Sequence, residues 1–266
     1  MKKKRRSAGG DRYQGKVVVV SGASSGLGRR VALDLAEAGA VVTAVARRGD
    51  LVAEMDRDLK MRSEESAAVV CDVSATGAWT ALLAEVEKTR GRIDVLVNNA
   101  ATDPGIRLSE MTMGEVRRTF EVNFFAAVAG TLAVVPGMID RGSGIVVNVS
   151  SDGGRLPSPG PGIYPASKAA LSAFTESVSF RVGRRGVAMH VVYPAWMPTD
   201  MGRGAIGRGL RAPPRLTRRT EQEVARLVLE RMGGRTVDIS ASRLIDVAAV
   251  FRVAMPRTYH YFRRTW

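Results

Sequence analysis

The sequence predicts an α/β fold: a doubly wound parallel sheet in three layers, helices over sheet over helices. Three observations predict it. Short β-branched runs alternate with longer helical stretches along nearly the whole chain, which is the pattern of a parallel sheet covered on both faces. Residues 16–21, Lys-Val-Val-Val-Val-Ser, are apolar almost throughout, as a central strand buried on both sides requires. That run leads directly into Gly22-Ala23-Ser24-Ser25-Gly26-Leu27-Gly28, a glycine-rich turn that opens a helix.

The elements follow in order. After the strand at 16–21 comes a helix at 29–38, closed by Gly39. A second strand at 41–46 precedes a helix at 50–62, and a third at 67–71 precedes a helix at 75–90. The fourth strand is Ile93-Asp94-Val95-Leu96-Val97, followed by a long helix over 112–139 and a strand at 144–149. The most apolar run, 124–139, contains Gly130, Pro136 and Gly137 and falls short of the roughly 20 residues that span a bilayer, so it reads as a buried helix. A helix carrying Tyr164 and Lys168 runs to about residue 184, with Pro165 in its first turn, where a missing N–H costs nothing. A strand at 187–193 follows. Residues 197–219, rich in Gly, Arg and Pro, read as a mobile loop. Thr220 opens a helix to about 232, with Glu223 completing a capping box. A short last strand at 236–239 and a final helix at 241–255, stopped by Pro256, complete the pattern.

A chain of 266 residues can bury one large core, and α/β folds of this size are often a single domain. The expected organisation is a basic disordered tail at 1–13, one domain at 14–240 and a helical extension at 241–266. The formal net charge of +14 divides into +5 over residues 1–10, 0 over 11–202 and +9 over 203–266. A neutral body thus carries two basic ends. Met1-Lys2-Lys3-Lys4-Arg5-Arg6 has no apolar run after it, so it reads as a solvated tail rather than a signal peptide, and no specific nucleic-acid partner is expected. Cys71 is the only cysteine, which excludes an intramolecular disulfide and a Cys-rich zinc site. His190 and His260 are the only histidines, which weighs against a His-based metal site or triad; no metal is expected. The reducing cytoplasm fits this composition.

Two constellations carry chemistry. Glycines between a strand and a helix permit a tight turn and close backbone approach to a pyrophosphate, whose charge meets the helix N-terminus. The spacing here, G-x-x-x-G-x-G, differs from both G-x-G-x-x-G and the nucleoside triphosphatase loop. Further along, Tyr164-Pro165-Ala166-Ser167-Lys168 sets a phenol and an ammonium one helical turn apart, with Ser151 thirteen residues before Tyr164. A positive charge beside a phenol favours phenolate, so the pair can serve as an acid/base.

With these residues in this order the chain resembles the short-chain dehydrogenase/reductase family, whose fold is the Rossmann type. The resemblance covers residue 16 to about 201 and rests on 21–28, Asp72-Val73, Asn98-Asn99-Ala100-Ala101, Asn123, Ser150-Ser151, 164–168 and 194–199. It implies that Tyr164 is the acid/base, that Lys168 lowers its pKa and bonds the nicotinamide ribose, that Ser151 holds the substrate oxygen and that Asn123 retains a water in the proton relay. Carbonyl reduction builds negative charge on oxygen, so a donor array there suits the reaction, and the hydride comes from the cofactor. The expected cofactor-binding residues are Gly22, Ser24, Ser25, Gly26, Leu27, Gly28, Arg47, Arg48, Asp72, Val73, Asn99, Ala100, Tyr164, Lys168, Pro194 and Thr199. Asp72 is expected at the adenine edge and Thr199 at the nicotinamide carboxamide.

Cofactor choice is argued from the second strand. In dinucleotide folds an acidic residue about 20 positions beyond the glycines binds the ribose 2′-OH, whereas arginine accommodates a 2′-phosphate. The strand end reads Val45-Ala46-Arg47-Arg48, so the expectation is NADP(H), with Arg47 pairing the phosphate. Ala101 and Ala195 stand where the family usually has glycine, each adding a methyl near the nicotinamide pocket, and a small packing adjustment is expected. The tail departs further: 240–266 looks like family members with extra helices, some membrane-associated. Its bland reading is a helix packed on this subunit or another; its sharper reading is an interfacial anchor.

The resulting reading is an NADP(H)-dependent oxidoreductase interconverting a secondary alcohol and a ketone. Its substrate is small and apolar in body, held by a variable loop at 197–217. The resemblance implies a homodimer or homotetramer, cytoplasmic, with peripheral membrane contact through the C-terminal segment as an added expectation. The alternative is a non-enzymatic NADP-binding sensor or interaction protein that uses its basic ends.

Overall fold

Val18 and Val20 point to one face of the first strand and Val17 and Val19 to the other, and each pair enters a different hydrophobic cluster. This is the packing consequence of an apolar strand with a period of two. The computed structural model describes residues 10–157, 162–208 and 213–265. Seven parallel strands form one sheet in the order β3-β2-β1-β4-β5-β6-β7. They are β1 (Val17–Ser21), β2 (Val41–Ala46), β3 (Ala67–Val70), β4 (Val95–Asn98), β5 (Gly144–Val149), β6 (Val187–Tyr193) and β7 (Asp238–Ser240). One face is covered by α1 (Gly26–Glu37), α2 (Gly49–Lys60) and α9 (Glu221–Arg231), through residues such as Val31, Leu35, Leu59 and Val228. The other carries α3 (Ala78–Arg90), α5 (Ala126–Asp140) and α7 (Ile163–Val182), through Trp79, Leu83, Val134, Met138 and Val182. The chain reverses direction across the sheet between β1 and β4, and a crevice opens at such a switch point beyond the carboxyl ends of the strands.

Several boundaries differ from the sequence expectation, each for a physical reason. The first helix is bounded at Gly26, whose φ of +55° still belongs to the turn, and Gly28 is helical rather than part of that turn. The expected helix at 112–139 is three pieces: α4 (Met113–Phe120), a π-helical turn (Glu121–Phe125) and α5. A π turn inserts one residue and leaves no trace in an apolar pattern. By length and composition the stretch Met113–Asp140 is apolar enough to cross a membrane, and half of its most apolar window is buried. The loop expected at 197–219 contains α8 (Asp200–Gly207), capped by Thr199, whose hydroxyl accepts from Gly202 N at 3.1 Å.

The chain ends also differ. The tail expected to run to residue 13 is ordered by Gly10–Tyr13: Tyr13 is 1% exposed and its hydroxyl donates to Leu229 O at 2.5 Å. Residues 1–9 lie outside the described residues. The last strand is shifted to Asp238–Ser240. The final helix is α10 (Arg243–Ala254), and Pro256 does not stop the chain but opens α11 (Pro256–Thr265), since a proline at the first helical position loses no bond. The capping box at Thr220 and Glu223 forms as expected.

Candidate active site

Ser21, at the end of β1, joins two loops. Its hydroxyl accepts from the backbone N–H of Asn99 and of Ala100, both at 3.1 Å. Asn99 answers with Nδ2, which donates to Ser21 O at 3.1 Å and Gly22 O at 3.0 Å. Gly22, at φ +64°, lies so near this loop that an added Cβ would sit 2.7 Å from Ala100 Cα. A Cβ on Gly28 would collide with Asn99 Nδ2 and Gly22 O. Two of the three motif glycines are therefore required by the loop after β4, before any ligand is considered.

The start of α1 suits an anion. Its N-cap, Ser25, makes no side-chain cap, and the first turn carries no acidic residue. Arg48 reaches over this end, donating to Ser25 Oγ at 3.1 Å and Ser24 Oγ at 3.4 Å. Arg47 lies 4.0 Å from Asp72 Oδ2. Exposed N–H groups at a helix start, two hydroxyls and two guanidiniums fit the phosphates of a dinucleotide.

A cleft of ≈ 260 Å³ connects this end to the Tyr164 helix. It is lined by Gly22, Ser24, Ser25, Gly26, Leu27, Arg47, Arg48, Val73, Asn99, Ala100, Tyr164, Lys168, Pro194 and Thr199 among the expected residues. Val45, Cys71, Ala101, Ser150, Met197 and Met201 line it too. Four expected residues do not line it. Gly28 is turned into its contact with Asn99. Asp72 is engaged by Ser74, whose Oγ and N donate to Oδ1 at 2.6 and 3.0 Å. Burial works against the ionised Asp72, but these bonds and Arg47 outweigh it and hold the carboxyl below its ordinary range.

Asn123 is the third. It sits in the π turn, fully buried, and its side chain is committed: Oδ1 accepts from Thr102 N at 2.7 Å, and Nδ2 donates to Thr102 O at 2.9 Å and Ser167 Oγ at 3.0 Å. Both amide hydrogens are used, so a relay through this side chain has no spare donor. The fourth is Ser151, whose hydroxyl accepts from Gly153 N at 3.1 Å and lies near enough to the Tyr164 phenol to favour its ionised form.

Lys168 is 1% exposed beneath Tyr164, its Nζ 5.9 Å from the ring centroid and donating to Val149 O at 2.8 Å. The charge logic differs from the sequence expectation. Burial pushes the Tyr164 phenol up to about 12, against the opposing influence of the Ser151 hydroxyl, while Asp103 and Asp152 add to the rise. Burial alone brings Lys168 down to about 7. Burial, which disfavours the charged form of each, is the first cause of both shifts, and Lys168 is not among the causes acting on the Tyr164 phenol.

A second polar chain supports the site: Asn98 Nδ2 donates to Asn148 Oδ1 at 2.8 Å, and Asn148 Nδ2 donates to Thr175 Oγ1 at 2.8 Å. It ties β4 and β5 to α7 in the core. Asn in a strand core was the available signal, and an apolar pattern search passes over it.

With this geometry in place, comparison decides the family. The sequence model described as short chain dehydrogenase matches residues 16–206. The chain belongs to the short-chain dehydrogenase/reductase family. The chain is 28% identical over 259 residues to the ketoacyl reductase HetN of Nostoc, covering 93% of this chain and 89% of that one. It is 30% identical over 244 residues to dehydrogenase/reductase SDR family member 7B of Mus musculus, covering 88% and 76%. Among solved structures, L-sorbose reductase of Gluconobacter frateurii, complexed with NADPH and L-sorbose, aligns with a TM-score of 0.77 at 25% identity, over 86% of this chain and 95% of that one. An actinorhodin polyketide ketoreductase with NADPH aligns at 0.79 and 26% identity, over 86% and 96%.

The chain's two departures from family glycines have different consequences. Ala195 is held at φ 62°, the only non-glycine at positive φ among the described residues, so the effect there is backbone strain rather than the expected packing adjustment. Ala101 is free of that strain. A separate open groove of ≈ 1160 Å³ lies between α9 and α10 and shares no lining residue with the cleft.

Proposed function

We propose that this protein is an NADP(H)-dependent reductase that interconverts a ketone and a secondary alcohol. One observation carries the reading: Tyr164 and Lys168, one helical turn apart, line the cleft that runs to the glycine loop, and the Ser151 hydroxyl lies near enough to the phenol to favour its ionised form. When bound, the nucleotide supplies a hydride to the carbonyl carbon. The carbonyl π pair moves onto oxygen, where Ser151 and Tyr164 donate hydrogen bonds, and the Tyr164 proton completes the alcohol. A phenol near 12 stays protonated at neutral pH, which suits it as the acid of the reduction direction. Lys168, brought down to about 7 by burial, sits 5.9 Å from the Tyr164 ring centroid as the nearest cation to the phenol that gives up its proton. The metal-free chemistry needs no further group.

Arg47 and Arg48 support NADP over NAD, since both line the cleft and no acidic residue ends β2. NADPH in the two reductases aligned above supports the same choice. A homo-oligomer built on α5 and α7 is supported by exposed Phe125, Leu132 and Phe180. The test is NADPH oxidation against ketones graded by size, with Tyr164→Phe. The expected result is turnover lost at least a hundredfold with NADPH affinity kept; a panel without turnover by the wild type overturns the reading. Arg48→Ala and Arg47→Ala are each expected to weaken NADPH at least tenfold and NADH less than threefold. Equal loss for both nucleotides overturns the NADP assignment.

A further inference from the structure

The polar contacts of α10 with the body converge on one residue of the catalytic turn. α10 buries none of its own side chains, and Leu244, Val247, Val250 and Val253 are exposed along it. Across the open groove from α9 it meets α6 (Asp152–Arg155), the single helical turn that starts at Ser151. The Arg155 guanidinium stacks on the Tyr193 ring, 3.5 Å from its centroid. It donates to Asp246 Oδ1 at 2.8 Å and to Ser240 Oγ at 3.1 Å, with Asp238 Oδ2 at 3.8 Å. The tie is two-way, because Arg252 of α10 donates to the Arg155 carbonyl at 2.7 Å.

The other side of α6 rests on the acid/base helix. A Cβ on Gly154 would come within 3.1 Å of Lys168 C and Ala169 N, so α6 packs directly on the α7 backbone at Lys168. Within α6, Gly154 N donates to Ser151 O at 2.9 Å and Leu156 N to Asp152 O at 2.7 Å. A turn this short does not hold itself in water, so its position comes from what grips it. The seam with α10 is gripped by charge rather than by packing. Asp152 Oδ1, Arg155 Nε and Ser242 Oγ, three of the six buried side-chain polar atoms without a hydrogen-bond partner among the described residues, lie here.

We propose that Arg155 is a positioning residue through which the C-terminal helix α10 holds the Ser151 turn in register with Tyr164, so that α10 governs turnover without touching nucleotide. The proposal rests on the reading of Ser151 and Tyr164 as catalytic. It gives the C-terminal extension a role inside the subunit, and it makes anything that displaces α10 an inhibitor of the chemical step.

The test uses the full chain with Asp246→Asn, with Arg252→Met and with both, beside Asp246→Glu as the conservative variant. Hydrogen exchange followed by mass spectrometry is expected to quicken about tenfold in the double variant for peptides covering 152–157. Peptides covering 17–31, and NADPH affinity by fluorescence titration, stay unchanged. For the ketone found by the size-graded panel, kcat falls about tenfold with KM within twofold, and Asp246→Glu recovers most of the rate. Unchanged exchange at 152–157 together with unchanged kcat overturns the proposal, as does a loss expressed in NADPH affinity. If the double variant does not fold, the single Asp246→Asn, which keeps the side-chain shape, decides on the same readouts. If the wild type turns over no ketone, the catalytic reading fails while the exchange result still decides whether α10 holds the turn.

Discussion

Replacing Gly28 by alanine separates two reasons for a glycine in this loop, room for a phosphate and room for the protein itself. Gly28 lies in the first turn of α1 at an ordinary negative φ, so backbone strain does not enter. Helix propensity alone favours alanine by about 1 kcal/mol. Against it, the new Cβ would sit 3.0 Å from Asn99 Cγ and closer still to its Nδ2 and to Gly22 O. Gly22 O is backbone, in a residue held at φ +64° whose Cα side is packed against Ala100, so it has little room to retreat. Asn99 must then leave, giving up its bonds to Ser21 O and Gly22 O at about 1 kcal/mol each. The overpacking that remains costs about 1–3 kcal/mol. The net loss is about 2–4 kcal/mol, which lowers Tm by roughly 5–15 °C for a chain of this size. The assay is thermal unfolding by circular dichroism without nucleotide. Gly49→Ala serves as control, since a Cβ there meets nothing within 4 Å, and its Tm is expected within about 3 °C of wild type. A Gly28→Ala protein as stable as wild type that has lost only NADPH binding would refute the reasoning and return the glycine to the ligand.

Other consequences follow from strain and buried charge. Ala195→Gly removes an αL alanine worth about 1–2 kcal/mol, offset by about 0.4–1 kcal/mol of extra freedom in the unfolded chain. A rise in Tm of about 2–4 °C is expected, and a fall would contradict the positive φ. His190 is buried in β6, with Nδ1 donating to Thr236 O at 2.9 Å and Nε2 accepting from Gly233 N at 2.7 Å, so it must be neutral. Burial lowers its pKa below the ordinary value of 6.5. A depressed value means the unfolded chain binds the proton first, so this stabilisation is full above pH 6.5 and is lost as pH falls toward the folded value. The difference in urea midpoint between wild type and His190→Gln should therefore shrink from pH 7.5 to pH 5.5. Comparing the two proteins at each pH removes the opposite contribution of Asp152, whose pKa is raised.

The legibility of this chain is uneven. Strands β1, β2, β5 and β6 could be placed within a residue because each is a valine-rich, mainly apolar run. Tyr164, Lys168, Ser151 and the glycine loop were legible because sequence spacing fixes them on one helix face or at one strand end. The π turn at Glu121–Phe125 was not, because an inserted residue changes hydrogen bonding and leaves composition unaltered. Asn123 could be located but not understood, since what it bonds, Thr102 and Ser167, comes from distant segments. Arg155 carried no signal at all, and its partners Tyr193, Ser240, Asp246 and Arg252 lie 38 to 97 positions away. Helix α8 was hidden because Gly and Arg are poor guides to a segment held by one threonine cap.

By itself the sequence determined the layered α/β fold, the family and most of the expected residues around the cleft, because periodicity, local spacing and the order of motifs encode these. Tertiary structure alone decided how those residues are charged and held. It raised Tyr164 and lowered Lys168 by burying both without a counter-charge, gave Gly22 and Gly28 to the Asn99 loop, put Ala195 into the left-handed region, and linked the Ser151 turn to α10 through Arg155. Burial and long-range contact are properties of the folded chain, and no local pattern carries them.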